Sequence, residues 1–108
     1  MNTDFLKNWE TQLKKGLLPL YVLHALSESE RYGYELIQAL KNDYRTEVTE
    51  STIYPLLIRL LKENLLTASW VEQPSGIPRK YYFLSPTGKK TLKAMLASTE
   101  PIINVLKK

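Results

Sequence analysis

The sequence predicts a mainly helical domain with one small β-hairpin, and three observations carry that prediction. Apolar residues recur at helical spacing in several separate stretches. An aromatic, strand-like segment, Arg79-Lys-Tyr-Tyr-Phe-Leu84, follows a break rich in proline and glycine. A serine-proline pair, Ser85-Pro86, then marks the start of a last helix. At 108 residues the chain holds one domain with a real core but not two.

The first helix expected begins at Thr3 or Asp4, either of which can cap it. Its apolar positions Phe5, Leu6, Trp9 and Leu13 form one stripe, and Gly16 is its expected stop. The run Leu17 to Leu26 is dense in apolar residues and reads as the central core helix, with Pro19 suited to an early turn. His24 within it reads as a packed side chain rather than a ligand. Ser27 to Arg31 is polar without apolar period and is expected to be a connector. In Tyr32 to Tyr44 the positions Gly33, Ile37, Leu40 and Tyr44 share a face, and the glycine there permits close approach of a neighbour.

Arg45 to Val48 is a short linker, and Thr49 is placed to cap the next helix, Thr49 to Asn64. At roughly 100° per residue, Ile53, Leu57, Leu60 and Asn64 fall in one buried sector flanked by Leu56 and Leu61. The outer side carries Ser51, Thr52, Tyr54, Pro55, Ile58, Arg59 and Lys62, a set rich in hydroxyl and basic donors and poor in carboxylates, which suits nucleic acid. Two helices joined by a brief linker form a helix-turn-helix pattern.

Thr67 to Gln73 then leans to extended structure, Pro74-Ser-Gly-Ile-Pro78 breaks it, and Arg79 to Leu84 returns as the second strand. This two-stranded wing sets Arg79 and Lys80 beside its tip, where basic residues reach phosphates or a groove. Ser85 is the expected cap of the last helix with Pro86 at its first position. Along that helix Leu92, Met95, Thr99, Ile102 and Leu106 recur at spacings of three and four, with Leu96 and Ile103 adjoining, a heptad-like seam that Pro101 kinks or restarts. Self-association through this seam, together with the Trp9 helix, is the expectation.

Composition excludes several function classes. There is no cysteine and one histidine, so disulfides, a thiolate zinc site, a histidine metal site and a Ser-His-Asp triad are not expected. No glycine-rich phosphate loop and no paired carboxylates appear, so neither an enzyme nor a cofactor is expected. The run Leu17 to Leu26 is about half a membrane span, and the N-terminus lacks the pattern of a signal peptide, so a cytoplasmic location with no membrane partner is expected. Net charge is +4 and sits late in the chain, with residues 89 to 108 alone at +4 and residues 27 to 44 at −2.

The order helix, helix, helix, hairpin, helix is that of a winged helix-turn-helix domain. Three blocks make the likeness specific: Tyr32-Gly-Tyr-Glu-Leu36, Ser51-Thr-Ile-Tyr-Pro-Leu-Leu-Ile-Arg-Leu60, and Pro78-Arg-Lys-Tyr-Tyr82 with Leu84-Ser-Pro-Thr-Gly88. In their order and spacing they resemble the PadR family of bacterial transcriptional regulators, over roughly residues 16 to 88. The resemblance implies a homodimeric DNA-binding regulator, usually a repressor, whose Thr49 to Asn64 helix enters the major groove of double-stranded operator DNA. It implies Ser51, Thr52 and Tyr54 as groove-facing donors, and Arg79 and Lys80 as wing contacts. Arg59, beyond the first turn, either joins them or pairs with Glu63.

The resemblance divides the chain into an N-terminal amphipathic helix at 1–15, a DNA-binding domain at 16–85 and a C-terminal dimerisation helix at 86–108. Some relatives bind aromatic or drug-like effectors between subunits, and Trp9, Met95, Leu96 and Thr99 are the candidates to line such a space. Two positions depart from the family pattern. Ile77 stands where the family often has arginine, which weakens the case for a minor-groove contact there. Asn64 stands where glycine is common, and asparagine tolerates the left-handed conformation that turn needs. The alternative reading is a winged-helix protein-interaction module without DNA binding.

Overall fold

The computed structural model describes residues 2–108. In chain order it contains α1 (Thr3–Glu28), β1 (Arg31–Tyr32), α2 (Gly33–Asp43), α3 (Glu50–Lys62), β2 (Leu66–Val71), β3 (Arg79–Leu84) and α4 (Pro86–Leu106). The class is as expected, mainly helical with a small antiparallel sheet. That sheet has three strands in the order β1-β3-β2, so the hairpin gains a third partner. Arg31, the last residue of the expected connector, and Tyr32, the first of the stretch expected to be helical, pair with Tyr82 and Tyr81 of β3.

The largest departure is α1, one helix of 26 residues where two were expected. Gly16 does not stop it. A glycine stop works by entering the left-handed region, and among the described glycines only Gly76 has positive φ. In mid-helix Gly16 costs about 1 kcal/mol against alanine, and Pro19 removes one further hydrogen bond. Burial of Leu18, Val22, Leu23, Ala25 and Leu26 just downstream outweighs both. The cap is Asn2, whose Oδ1 accepts from the Phe5 amide at 2.9 Å, rather than Thr3 or Asp4.

The core is built from the second half of α1, the inner faces of α2 and α3, and the inner side of the sheet. Leu23, Leu36, Leu40, Ile53 and Leu57 are its largest fully buried side chains. The sector expected for α3 holds: Ile53, Leu57 and Leu60 face inward and Ser51, Tyr54, Pro55, Ile58, Arg59 and Lys62 face out. Asn64 is an exception to that sector, because it leaves the helix. It takes the left-handed conformation at φ 61°. The Leu65 amide then bonds the Leu60 carbonyl and the Asn64 amide bonds the Leu61 carbonyl, each at 3.0 Å. This pair of reversed bonds is a Schellman close.

The same turn is locked to the start of α4. The Ser85 hydroxyl donates to the Asn64 carbonyl at 2.6 Å and accepts from the Gly88 amide at 2.9 Å. The Ser85 amide donates to the Leu65 carbonyl at 3.1 Å. Gly88 is needed there, since any Cβ on it would run into the Leu65 carbonyl. Pro101 neither breaks nor restarts α4, which is continuous to Leu106.

Candidate nucleic-acid interface

Thr49 stands at the N-cap position of α3, but its hydroxyl does not bond the backbone. It lies 2.8 Å from Ser51 Oγ and 3.5 Å from Thr52 Oγ1, so three hydroxyls cluster on the exposed first turn. The Thr49 carbonyl accepts from the Thr52 and Ile53 amides, both at 3.1 Å, which starts the helix. Pro55 sits one turn further on without interrupting it, and leaves the Ser51 carbonyl without its i+4 donor.

The outer face of α3 divides into a crest and two flanks. Ser51, Pro55, Ile58 and Lys62 follow the helical spacing along the crest. On one flank Tyr54, 38% exposed, lies against Gly33, whose missing side chain makes room for the phenol ring. The glycine therefore serves a close approach as expected, with the tyrosine of α3 as the group it admits. On the other flank Thr52 shares a cleft of about 480 Å³ with Thr11, Lys14, Lys15, Thr46 and Thr49.

Tyr54 is brought together with both wing residues. A cleft of about 280 Å³ is lined by Tyr32, Gly33, Tyr54, Trp70, Arg79, Lys80 and Tyr82, with no carboxylate among them. The Arg79 guanidinium lies 4.5 Å from the centre of the Tyr32 ring. Lys80 lies 6.0 Å from the centre of Trp70, its cross-strand partner, and 5.7 Å from that of Tyr82. Cations held against ring faces keep their N–H donors free for an anion, which a salt bridge would not. Burial, with Tyr54 beside it as a lesser cause, pushes the Tyr82 phenol above its ordinary pKa.

Arg59 is not part of this group. Its Nε is 3.6 Å from Glu63 Oε2, the one ion pair among the described residues. Tyr32 and Trp70 are site residues that the sequence reading did not single out. The signal for Tyr32 was present in its place one residue before Gly33, whereas Trp70 is tied to the site by the strand register that sets it opposite Lys80, which only the fold supplies.

The seam of α4 is split. Leu92, 7% exposed, belongs to the core of its own chain and is not available to a partner or effector, because α4 packs on α1 over its first half. Met95 is half-buried against that core, and the Thr99 hydroxyl donates to the Met95 carbonyl at 2.7 Å. Leu96, Ile102 and Leu106 are exposed, as is Trp9 on the first half of α1. Between α1 and α4 a shallow cleft of about 370 Å³ is lined by Gly16, Leu17, Leu20, Met95 and Thr99 among others; Trp9 and Leu96 are outside it. His24 is packed, its Nδ1 2.6 Å from the Tyr44 hydroxyl.

A winged domain with a basic, aromatic wing beside a hydroxyl-rich helix is a frame shared with known proteins. Residues 22–94 match the model of the transcriptional regulator PadR-like family. The chain belongs to that family.

The solved structures agree. The structure of a PadR-like transcription factor from Bacteroides fragilis is similar at 37% identity and a TM-score of 0.78, over 93% of this chain and 96% of that one. A PadR family transcriptional regulator from Eggerthella lenta is 30% identical with a TM-score of 0.86, over 97% and 91% of the two chains. A PadR-like transcriptional regulator from Bacillus cereus is 34% identical with a TM-score of 0.80, over 89% and 93%. The protein is thus a transcriptional regulator and not an enzyme. No helix among the described residues is long and apolar enough to cross a membrane.

Proposed function

We propose that this PadR-family regulator is a cytoplasmic homodimeric repressor that binds operator DNA through α3 and the wing. The observation that carries the reading is the convergence of Tyr54 with Arg79 and Lys80 around one carboxylate-free cleft. Ser51 and Thr52 on the first turn of α3 present hydroxyls to base edges or phosphates, while Arg79 and Lys80 hold phosphates beside the groove. Arg59, tied to Glu63, steadies the last turn of α3 and is left out of the contact set.

The exposed apolar residues of α1 and α4 support the dimer. Phe5, Leu6, Trp9 and Leu13 on α1, and Leu96, Ile102, Ile103 and Leu106 on α4, are each more than a third exposed, a density that favours a partner over water. Residues 1–15 and the end of α4 then act as dimerisation arms around the DNA-binding unit at 16–85. A second subunit laid over the α1–α4 cleft would enclose Met95 and Thr99 with Trp9 and Leu96, making a mainly apolar chamber for an aromatic or drug-like effector whose binding releases the DNA.

The test is the affinity for the DNA upstream of the protein's own gene against random duplex of the same length, at about 150 mM salt. The reading expects a preference of about a thousand-fold or more. Equal affinity for both would leave the interaction-module alternative standing.

A further inference from the structure

Arg79 begins β3, is exposed, and lies beyond the end of the β1 pairing. It has no carboxylate at ion-pair distance, since the one ion pair among the described residues joins Arg59 to Glu63. An arginine so placed ordinarily samples many rotamers. Here its guanidinium carbon lies 4.5 Å from the centre of the Tyr32 ring. Strand geometry explains the meeting. Tyr32 is paired with Tyr81, and Arg79, two residues before Tyr81, is on the same side of β3, so Tyr32 and Arg79 form a diagonal cross-strand pair. Lys80 is held less closely, 6.0 Å from the centre of Trp70 and 5.7 Å from that of Tyr82, near the outer limit for a cation and a ring.

Tyr32 is itself held from three sides. Its amide donates to Glu35 Oε1 at 3.2 Å. The Tyr81 ring meets it edge to face, with 5.4 Å between centres and 68° between planes. The Tyr34 ring is stacked with it at 6.4 Å and 21°. We propose that Tyr32 is the residue that positions Arg79 for DNA: its ring holds the guanidinium by the face and leaves the edge to a phosphate. The inference rests on the DNA-binding reading given above and adds to it a residue that acts through Arg79.

The shape of a guanidinium permits both contacts at once. Its N–H donors lie in its plane and match two oxygens of a phosphate, while its flat face carries no donor and suits a ring. The gain is preorganisation. Ordering one rotamer-rich side chain on binding weakens affinity by about two- to twelve-fold, and an arginine already ordered on Tyr32 avoids most of that loss. The next residue, Gly33, is the one that admits Tyr54 of α3. One dipeptide, Tyr32-Gly33, thus sets a wing cation and the groove-facing phenol in a fixed relation.

The hold of a ring on a cation is electrostatic, so it can be weakened with the shape of the ring kept. In the full chain, Tyr32→Phe is made first, and then the same position is given phenylalanine rings bearing one, two and three fluorines, which drain the negative face. Two quantities are read. One is the order parameter of the Arg79 Nε–H bond in the protein without DNA, from NMR relaxation. The other is affinity for a duplex selected from a random pool with the full chain.

Tyr32→Phe should match the wild type in both. Successive fluorines should loosen Arg79 toward the flexible range, below about 0.6, and weaken binding stepwise, by about five-fold or more with three. In an Arg79→Ala background the same series should leave affinity flat, which a purely structural role for the ring would not produce. An Arg79 Nε–H as mobile in the wild type as in the trifluoro variant would overturn the proposal. So would a series that leaves binding unchanged, or weakens it equally with and without Arg79, while Arg79→Ala alone weakens it. Arg79 loosened by fluorine in the free protein, with affinity indifferent to Arg79→Ala, would instead overturn the DNA contact on which the proposal stands.

Discussion

Tyr54 rests on Gly33, and that single contact sets the height at which the phenol stands above α3. An alanine at 33 meets only the far end of a side chain that has room to swing outward. Gly33→Ala is therefore expected to change stability by less than about 1 kcal/mol, the better helix propensity offsetting the contact. Affinity for operator DNA should fall about five-fold or more, because Tyr54 is displaced. Gly88→Ala is the contrasting case, since its new methyl group meets a backbone carbonyl that has no such freedom. About 1–3 kcal/mol of stability should be lost, read from the urea midpoint.

At the same scale, the Tyr44 phenol is pushed up to about 12, first by burial and then by the Glu28 carboxylate, which accepts its hydrogen bond at 3.3 Å. The folded state therefore holds this proton where the unfolded chain, at the ordinary value of 10.0, releases it. The stability that Tyr44 contributes is complete below pH 10 and is lost as pH rises from 10 toward about 12. Tyrosinate absorbance should show late-titrating phenols, and Tyr44→Phe should reduce that late phase, leaving the part due to Tyr82, and flatten the loss of stability above pH 10.

Among the elements, those bounded by local chemistry were legible in the sequence. Ser85-Pro86 placed the start of α4, the aromatic run placed β3, and the buried sector of α3 followed from Ile53, Leu57 and Leu60. Those settled by distant packing were not. Gly16 read as a stop, and Pro19 as an early turn of a second helix, because their cost is local, whereas the burial that keeps α1 whole comes from α2, α4 and the sheet. Strand β1 is two residues long and exists only because β3 lies beside it. The candidate site divides in the same way. Ser51, Thr52 and Tyr54 showed in the helical period, but the pairing of Arg79 with Tyr32 needed the third strand, and Leu92 needed the packing of α4 on α1.

The junction of α3 with α4 is the element on which the wing's bearing depends. Ser85 caps α4 and grips the Asn64 carbonyl with one hydroxyl. Ser85→Ala is expected to cost about 2 kcal/mol, the upper range for a lost cap, because a second bond goes with it. Thermal unfolding of the variant would show this as a clear drop in midpoint, and a change within error would mean the hydroxyl is dispensable.

The molecule as a whole is longer than its size requires. Its radius of gyration is 15.8 Å and its extents are 53 × 30 × 22 Å, against about 13 Å for a compact domain of this length. The excess lies in the two arms, and their exposed apolar residues make sense as one half of a dimer. A chain ending after Thr99 keeps Leu92 and Met95 in the core and removes Ile102, Ile103 and Leu106. In light scattering it should fall to a little under half the mass of the full-length dimer, with its helical spectrum otherwise kept. A truncated chain of undiminished stoichiometry would assign the dimer to other surfaces.

In the proposed reading the wing cations and the face of α3 form one DNA surface, and the salt dependence of operator binding reports on that surface. In a dimer the double substitution Arg79→Ala, Lys80→Ala removes four phosphate contacts. The slope of log affinity against log salt should then become shallower by about 3 to 4. Arg59→Ala, acting on a cation already engaged by Glu63, should leave the slope unchanged. A slope untouched by the double substitution would mean that the wing cations do not touch the DNA.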